Sequence, residues 1–202
     1  MKSIEDTLGI IHGIIRSFPG EIDIALVGGY AAVLHGVERT TLDIDFCVYS
    51  GIIHSSNTDQ FYRVLSNCIP ERFEARLIKG SSIPDDPFKH DVVFIEDTLG
   101  EYLRIDFLLA RYKWELEAIH SATFIEGIPV PVVTKPYLAA LKLKATGHKD
   151  ASDVVTLLNL MTEAERGETF ELARRIGRDR KLAQLLALSE EGPEEGPAEE
   201  LI

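Results

Sequence analysis

The chain has 202 residues, of which 45% are hydrophobic, and its formal net charge at pH 7 is −12. This length allows one substantial core with at most a small appendage. Two cysteines are too few for a disulfide framework, and the acidic balance argues against general adhesion to nucleic acids. Glu5 and Asp6 stand where a secretory signal would carry basic residues, and no apolar run approaches the roughly 20 residues of a membrane span. We therefore expect a cytoplasmic protein without a membrane partner.

The first two thirds of the sequence predict a mixed α/β unit. Residues 3–18 read as an amphipathic helix that opens with a capping box between Ser3 and Asp6, and this helix should cover one face of a sheet. Residues 24–27 form a short apolar strand, which a glycine pair separates from a compact apolar helix at 30–34. Further strands are predicted at 43–48, 72–78, 92–95, 102–109 and 130–133, with helices at 58–67 and 113–120.

The last third of the sequence predicts helices, followed by a polar tail. Pro136 suits a first helical position, and helices are predicted at 137–146, 151–161, 170–176 and 178–189. Residues 189–202 contain six glutamates and no basic residue, which favours disorder. We expect an α/β domain at 1–134, a helical domain at 135–188 and an acidic tail at 189–202. The fold class is then α/β (α+β): a mixed β-sheet with flanking helices and a helical bundle against its open side, with a ligand between the two layers.

Two local patterns indicate a site for phosphate and metal. Gly28 and Gly29 lie in the turn between the first strand and the following helix, where a phosphate can approach the backbone and the unpaired N–H groups of the helix start. Asp43 and Asp45 alternate on the next strand, so their carboxylates leave the same face roughly 6 to 7 Å apart. Two carboxylates at this spacing can share one divalent cation or bracket two.

Neighbouring residues extend this pattern. Arg39, Thr40 and Thr41 precede the aspartates and offer a guanidinium and two hydroxyls to the outer phosphates of a triphosphate. Asp106 is a single acid within an apolar strand, and a buried carboxylate requires a partner. That partner is either a metal, which would make Asp106 a third ligand, or an ion pair with Arg104 or Arg111.

Each element of the pattern has a plainer interpretation when taken alone. Glycine pairs often mark simple turns, and alternating acids often form the solvated face of a strand. Lys142 and Lys144 fit the exposed face of an amphipathic helix as well as a binding role. Lys149 and Asp150 fit a helix N-terminus. The glycine pair and the aspartates together, with Arg39 between them, favour a metal and nucleotide site.

The run from the glycine pair to the aspartates, with its R-x-T-x-D-h-D-h segment and a later h-D-h strand, resembles the nucleotidyltransferase superfamily. The closer likeness is to its small bacterial branch, which contains minimal nucleotidyltransferases and AbiEii-type toxins. This resemblance implies that Gly28 and Gly29 bind a nucleoside triphosphate and that Asp43 and Asp45 hold two Mg²⁺ or Mn²⁺ ions. It also implies that Asp106 completes the metal site.

The helical part of the sequence resembles the same family. A lysine-rich helix followed by a K/R-D-x-x-D stretch occurs here as Lys142, Lys144, Lys149, Asp150 and Asp153. The resemblance implies that Lys142, Lys149 and Asp150 contribute to nucleotide binding.

The function implied by the resemblance is metal-dependent transfer of a nucleoside monophosphate from a nucleoside triphosphate to an acceptor hydroxyl. The acceptor can be a tRNA, a protein or a small molecule, and the enzyme can be the toxin of a toxin–antitoxin pair, with the antitoxin as its partner. The alternative is an inactive module of the same fold that binds nucleotide or a partner protein. An inactive module need not keep Asp43, Asp45 and Asp106, so the presence of all three favours catalysis.

Overall fold

The computed structural model describes residues 2–53, 57–82, 89–145 and 147–190. The predicted acidic tail lies almost entirely outside these residues. The described strands are β1 Asp23–Val27, β2 Asp43–Tyr49, β3 Phe73–Ile78, β4 Val92–Asp97, β5 Arg104–Leu109, β6 Thr123–Phe124 and β7 Pro131–Val132. The described α-helices are α1 Ile4–Ser17, α2 Gly28–Leu34, α3 Asp59–Ser66, α4 Lys113–His120, α5 Lys135–Lys144, α6 His148–Asn159, α7 Glu163–Arg175 and α8 Asp179–Glu190.

The seven strands form one mixed sheet in the order β3-β4-β5-β2-β1-β7-β6. The pairs β2–β5 and β1–β7 are parallel, and the other neighbours are antiparallel. This arrangement confirms the predicted mixed α/β class. Strand β2 lies in the middle of the sheet between β1 and β5, so the aspartate pair predicted from sequence is carried by a central strand.

Helix α1 begins where its capping signal predicts. The Ser3 hydroxyl accepts a hydrogen bond from the Asp6 amide at 3.1 Å, and the Asp6 carboxylate accepts one from the Ser3 amide at 3.0 Å. These two bonds satisfy amides that the first helical turn leaves without intrahelical partners. The apolar face of the helix buries Leu8, Ile11 and Ile14 in the core.

Sequence patterns misplaced several element boundaries. Helix α7 begins at Glu163, seven residues before the predicted start, because its first two turns are largely polar and carry little apolar periodicity. Its start is nevertheless marked by a capping box between Thr162 and Glu165. Strand β6 was missed altogether, since it has only two residues and both are exposed.

Alternation along the central strands separates a packed face from a polar face. Phe46 of β2 and Phe107 of β5 are fully buried, and their rings meet edge to face with centroids 5.8 Å apart. Neighbouring side chains on a strand leave opposite faces, so Asp45 and Asp106 emerge on the other side of the sheet. Packing of the aromatic side chains on one face therefore fixes the positions of the acidic side chains on the other face.

Helix α5 joins the sheet to the helical part of the chain. It contacts α2, α6 and α7, and eight of its ten residues are buried. Lys142 is among the buried ones, with 4% of its surface exposed, so the interpretation of this lysine as part of an exposed face is wrong. The division of the chain into domains at 1–134 and 135–188 stays a prediction.

The aromatic pair beneath the acidic strands should contribute strongly to stability. We expect Phe107→Ala to lower the free energy of unfolding by about 3 to 5 kcal/mol, because it removes a fully buried aromatic side chain. Phe124→Ala is the matched control, since Phe124 is 73% exposed and should lose less than about 0.5 kcal/mol. Urea unfolding of both variants measures the difference, and equal losses would contradict the role assigned to this pair.

Candidate active site

Three carboxylates come together on the polar face of the sheet. One oxygen from each of Asp43, Asp45 and Asp106 lies within 4.8 Å of the others. Asp106 is buried, whereas Asp43 and Asp45 are partly buried. Among the residues that the structure describes, this is the one group of three or more acidic, histidine or cysteine side chains close enough to share a metal ion.

The register of two parallel strands produces this cluster. In the β2–β5 pair, Asp45 lies beside Asp106 and Asp43 lies beside Arg104. Residues two apart on a strand share a face, so all four side chains project to the same side. A shift of one residue would turn Asp106 into the core, which makes the cluster a direct consequence of the register.

Arg104 places a positive charge inside the acidic cluster. Its Nε donates to Asp106 Oδ1 at 2.7 Å, and its Nη2 donates to Asp106 Oδ2 at 2.8 Å and to Asp43 Oδ2 at 3.0 Å. The ion pair between Asp106 and Arg104, one of the alternatives open from sequence, is thus present. Arg111 is not the partner, because its guanidinium donates to the Lys89 carbonyl instead.

The glycine pair lies directly against Asp45, and it forms the start of α2 rather than the separate turn predicted before the helix. Gly28 has φ +66°, and a Cβ at this position would lie 1.9 Å from Asp45 Oδ2. A larger residue would therefore be strained and would also collide with the carboxylate. The Gly29 amide donates a long hydrogen bond of 3.4 Å to the same oxygen. Only glycine allows the backbone to come this close to the acidic cluster.

Crowding and burial change how the acids hold their protons. Burial raises the pKa of Asp45 to about 7, and the charges of Asp43 and Asp106 add to the rise. Burial also raises the pKa of Asp106, although its hydrogen bonds to Arg104 act in the opposite direction. The cluster thus holds more negative charge than its neighbours balance, which a bound cation would relieve.

A second group of charges faces the cluster from the helical side. Lys142 Nζ lies 2.6 Å from Asp153 Oδ2 and 3.2 Å from Asp150 Oδ1, and Arg39 also pairs with Asp153. Lys142 and Asp153 are both 4% exposed. Asp153 therefore holds one cation from α5 and one from the loop before β2. Sequence reasoning noticed Asp153 in its motif but did not anticipate that it joins Arg39 to Lys142.

The other predicted residues are divided between two neighbouring cavities: one into which the three carboxylates open, and a separate one of about 570 Å³ beside α6. Arg39 lines both cavities, whereas Thr40 and Lys149 line only the one beside α6. Thr41 lies close to Gly29 but donates its hydroxyl to Asp43, at 3.0 Å to the carbonyl and 3.1 Å to Oδ1. Lys149 and Asp150 occupy the first turn of α6, as the helix-start interpretation predicted.

The carboxylates open into a cavity of about 360 Å³ between the sheet and α5. Its polar wall comes from Gly28, Gly29, Arg39, Asp43, Asp45, Asp106, Lys142 and Asp150. The remainder is apolar and includes Phe94, Leu138 and Leu141. A cavity with acids on one side and two cations on the other can hold a dication and the phosphates that accompany it. The oxygen-only donor set fits Mg²⁺ or Mn²⁺.

Comparison with known proteins identifies the family. Residues 15–201 match the model of the family described as nucleotidyl transferase AbiEii toxin, type IV TA system. The match covers nearly the whole sequence, so the chain belongs to the AbiEii family and is a nucleotidyltransferase. No curated protein matches the chain in sequence.

Two solved structures are similar to this one at low sequence identity. The crystal structure of ANT(2")-Ia in complex with adenylyl-2"-tobramycin is 15% identical, covers 84% of this chain and 98% of that chain, and has a TM-score of 0.49. A solution structure of the antibiotic-resistance factor ANT(2'')-Ia is 14% identical, covers 92% of this chain and 96% of that chain, and has the same TM-score.

Within the described part of the chain, no helix has the length and apolar character needed to cross a membrane.

Sequence reasoning named Arg104 as a possible ion-pair partner of Asp106 but did not predict that it belongs to the site. Its position could have indicated this, because a residue two positions before Asp106 on the same strand must share its face. The parallel pairing with β2, which brings Asp43 alongside, could not be read from local sequence. Arg104 also packs over the Phe94 ring, with its guanidinium carbon 5.0 Å from the centroid.

The raised pKa of Asp45 predicts a pH-dependent stability in metal-free protein. The folded state holds this proton more tightly than the unfolded chain, so the free energy of unfolding falls as pH rises from about 4 to about 7. We expect Asp45→Asn in EDTA to be more stable than the wild type at pH 8, by at most about 4 kcal/mol. The difference should shrink toward pH 5, and a difference independent of pH would contradict this electrostatic account. Thermal unfolding across the pH range measures it.

The shared carboxylate of Asp153 should matter more for folding than its neighbour. We expect Asp153→Asn to cost about 3 kcal/mol of stability, because it leaves the buried Lys142 and Arg39 without their common partner. Asp150→Asn is the matched control on the same helix: Asp150 is more exposed and lies 3.2 Å from Lys142, so its loss should cost below about 1 kcal/mol. Urea denaturation compares the two, and a larger loss for Asp150 would refute the assignment.

Proposed function

We propose that this protein transfers a nucleoside monophosphate from a nucleoside triphosphate to an acceptor hydroxyl. The observation that carries the proposal is the convergence of Asp43, Asp45 and Asp106 at one cavity, with Lys142 and Arg39 on its other side. This reaction requires carboxylates that hold a dication and positively charged side chains that neutralise phosphates. Membership of the AbiEii family supports the same chemistry.

The three carboxylates would hold Mg²⁺ or Mn²⁺. Bound there, the metal would lower the pKa of the acceptor hydroxyl and offset the charge of the triphosphate. The acceptor oxygen forms a bond to the α-phosphorus while the bond from that phosphorus to the α–β bridging oxygen breaks, and pyrophosphate leaves on the opposite side. Asp106 would ligate the metal on the acceptor side and would accept the hydroxyl proton there.

The remaining residues would bind and orient the nucleotide. Gly28 and Gly29 would admit the outer phosphates close to the backbone, because no Cβ blocks the approach. Lys142 and Arg39 would bind the charge that develops on the leaving pyrophosphate, with Asp150 orienting Lys142. Thr41 would keep Asp43 in position through its hydroxyl. Thr40 and Lys149 would contact the nucleotide or the acceptor from the adjoining cavity, which shares Arg39 with the first.

The biological setting proposed is that of a toxin with a cognate antitoxin. The family description names a type IV toxin–antitoxin system, and this supports an antitoxin protein as partner. The acceptor would be a tRNA, a protein or a small molecule. We propose a cytoplasmic location, which suits the free state of Cys47 and Cys68.

The rival function is an inactive module that binds nucleotide without turnover. Such a module has no need to keep three ionisable groups together, since burial, with the neighbouring charges adding to it, raises the pKa of Asp45 and makes its ionised form unfavourable in the folded state. The retention of this electrostatically unfavourable cluster therefore supports catalysis over simple binding.

The donor site can be tested before the acceptor is known. Thermal shifts with ATP, GTP, CTP and UTP, each with Mg²⁺ or Mn²⁺, should reveal one or more triphosphates that stabilise the protein only when metal is present. Asp43→Asn and Asp45→Asn should lose this metal dependence and abolish transfer of label from an α-labelled triphosphate. Asp23→Asn is the matched control. Asp23 lies at the end of β1 that is farther from the acidic cluster, and it pairs with His120. A fully active Asp43→Asn variant would sink the proposal.

A further inference from the structure

The guanidinium of Arg104 occupies ligand positions that a metal ion would use. It bonds both oxygens of Asp106 and one oxygen of Asp43. Asp45 receives none of these bonds, and its one hydrogen bond from a described residue is the long contact from the Gly29 amide. The arginine is thus directed at two of the three proposed ligands and joins them through its hydrogen bonds.

The charge of Arg104 should oppose a dication at the same acids. A guanidinium is permanently charged and cannot relieve the conflict by losing its proton. In a partly buried site the repulsion between like charges is weakly screened, and each carboxylate oxygen that Arg104 bonds has one lone pair fewer to offer a metal. Arg104 is 40% exposed along its side chain, so it has room to move outward.

A triphosphate would change the sign of this effect. Its phosphates bring negative charge into the same cavity, and an arginine released from Asp106 would then have an anion to bind. The guanidinium lies over the Phe94 ring, and this cation–π contact can persist while the side chain moves away from Asp106. The same charge that opposes metal alone therefore favours metal and triphosphate together.

We propose that Arg104 is an internal counter-cation that couples the two ligands, making divalent metal bind weakly alone and tightly with triphosphate. This inference rests on the proposed function, because it takes Asp43 and Asp106 as metal ligands. Arg104 is a positioning residue in this account, since it acts through those carboxylates. By linkage, the factor by which triphosphate improves metal affinity equals the factor by which metal improves triphosphate affinity.

The test measures Mn²⁺ binding directly, without turnover. Electron paramagnetic resonance of free Mn²⁺ gives the affinity of the protein for metal alone, and calorimetry with inorganic triphosphate, with and without excess Mn²⁺, gives the coupling. We expect Arg104→Gln to bind Mn²⁺ alone about tenfold more tightly than the wild type, within the range typical of coupled sites. We also expect the variant to bind triphosphate with Mn²⁺ more weakly, so that the coupling factor falls.

Two further variants separate the effect of the charge on Arg104 from the effects of its geometry and of other nearby arginines. Arg76→Gln is the matched control, because Arg76 lies over the same Phe94 ring with its guanidinium carbon 5.7 Å from the centroid, yet it bonds none of the three acids. It should leave Mn²⁺ affinity unchanged. Arg104→Lys keeps the charge but loses the two-pronged contact, so its Mn²⁺ affinity should stay nearer the wild type than that of Arg104→Gln. Circular dichroism shows whether each variant is folded.

The outcomes distinguish this inference from the proposed function. If the wild type binds Mn²⁺ with triphosphate but Arg104→Gln binds Mn²⁺ alone with equal or lower affinity, the counter-cation role is overturned and the metal site stands. That result would instead assign Arg104 to orienting Asp106. If neither protein binds Mn²⁺ with or without triphosphate, the proposed metal site fails and the inference fails with it.

Discussion

The parallel pairing of β2 with β5 is the constraint on which the rest of the site depends. It places Asp45 beside Asp106 and Asp43 beside Arg104, and it does so while burying Phe46 against Phe107 on the opposite face. Apolar packing thus fixes a register that electrostatics alone would oppose. The free energy gained by the core on one face of these strands offsets the repulsion stored on the other, which is how a folded protein maintains an unfavourable charge cluster.

The cations around the cluster are held by different means, and this difference decides what each can do. Lys142 is almost fully buried and fixed by two acids of α6, so it is a permanent part of the cavity wall. Arg104 is 40% exposed along its side chain, packs over Phe94, and forms its ion pairs with acids that are proposed metal ligands. One cation is therefore preorganised and the other is exchangeable. A site that received a metal and a polyanion together would benefit from both, because the first cation would orient the phosphates and the second offsets part of the charge on the acids before a metal binds.

Local sequence predicted the parts of this site that are set by a single element. The alternation of Asp43 and Asp45, the glycine turn and the capping of α1 each depend on a few neighbouring residues, and short-range stereochemistry determines them. The convergence of Asp106 and the pairing of Arg39 with Asp153 depend on residues 61 or more positions apart, which only the sheet order and the docking of α6 decide. The exposure of Lys142 was misjudged for the same reason: a lysine within an amphipathic pattern reads as solvated until its distant partners are known.

The shared carboxylate of Asp153 gives the helical part a role in the site that packing alone would not provide. It holds Lys142 from α5 and Arg39 from the loop before β2, so a displacement of α6 would release both of the cations that face the acids across the cavity. Arg39 also lines both cavities, so the loss of its ion pair with Asp153 would alter the walls of both. A partner that moved α6 would loosen the side of the cavity that carries Lys142 and Arg39 without touching the three acids. Control of this enzyme through α6 would thus act by breaking one ion-pair network, in which Asp153 joins Lys142 to Arg39.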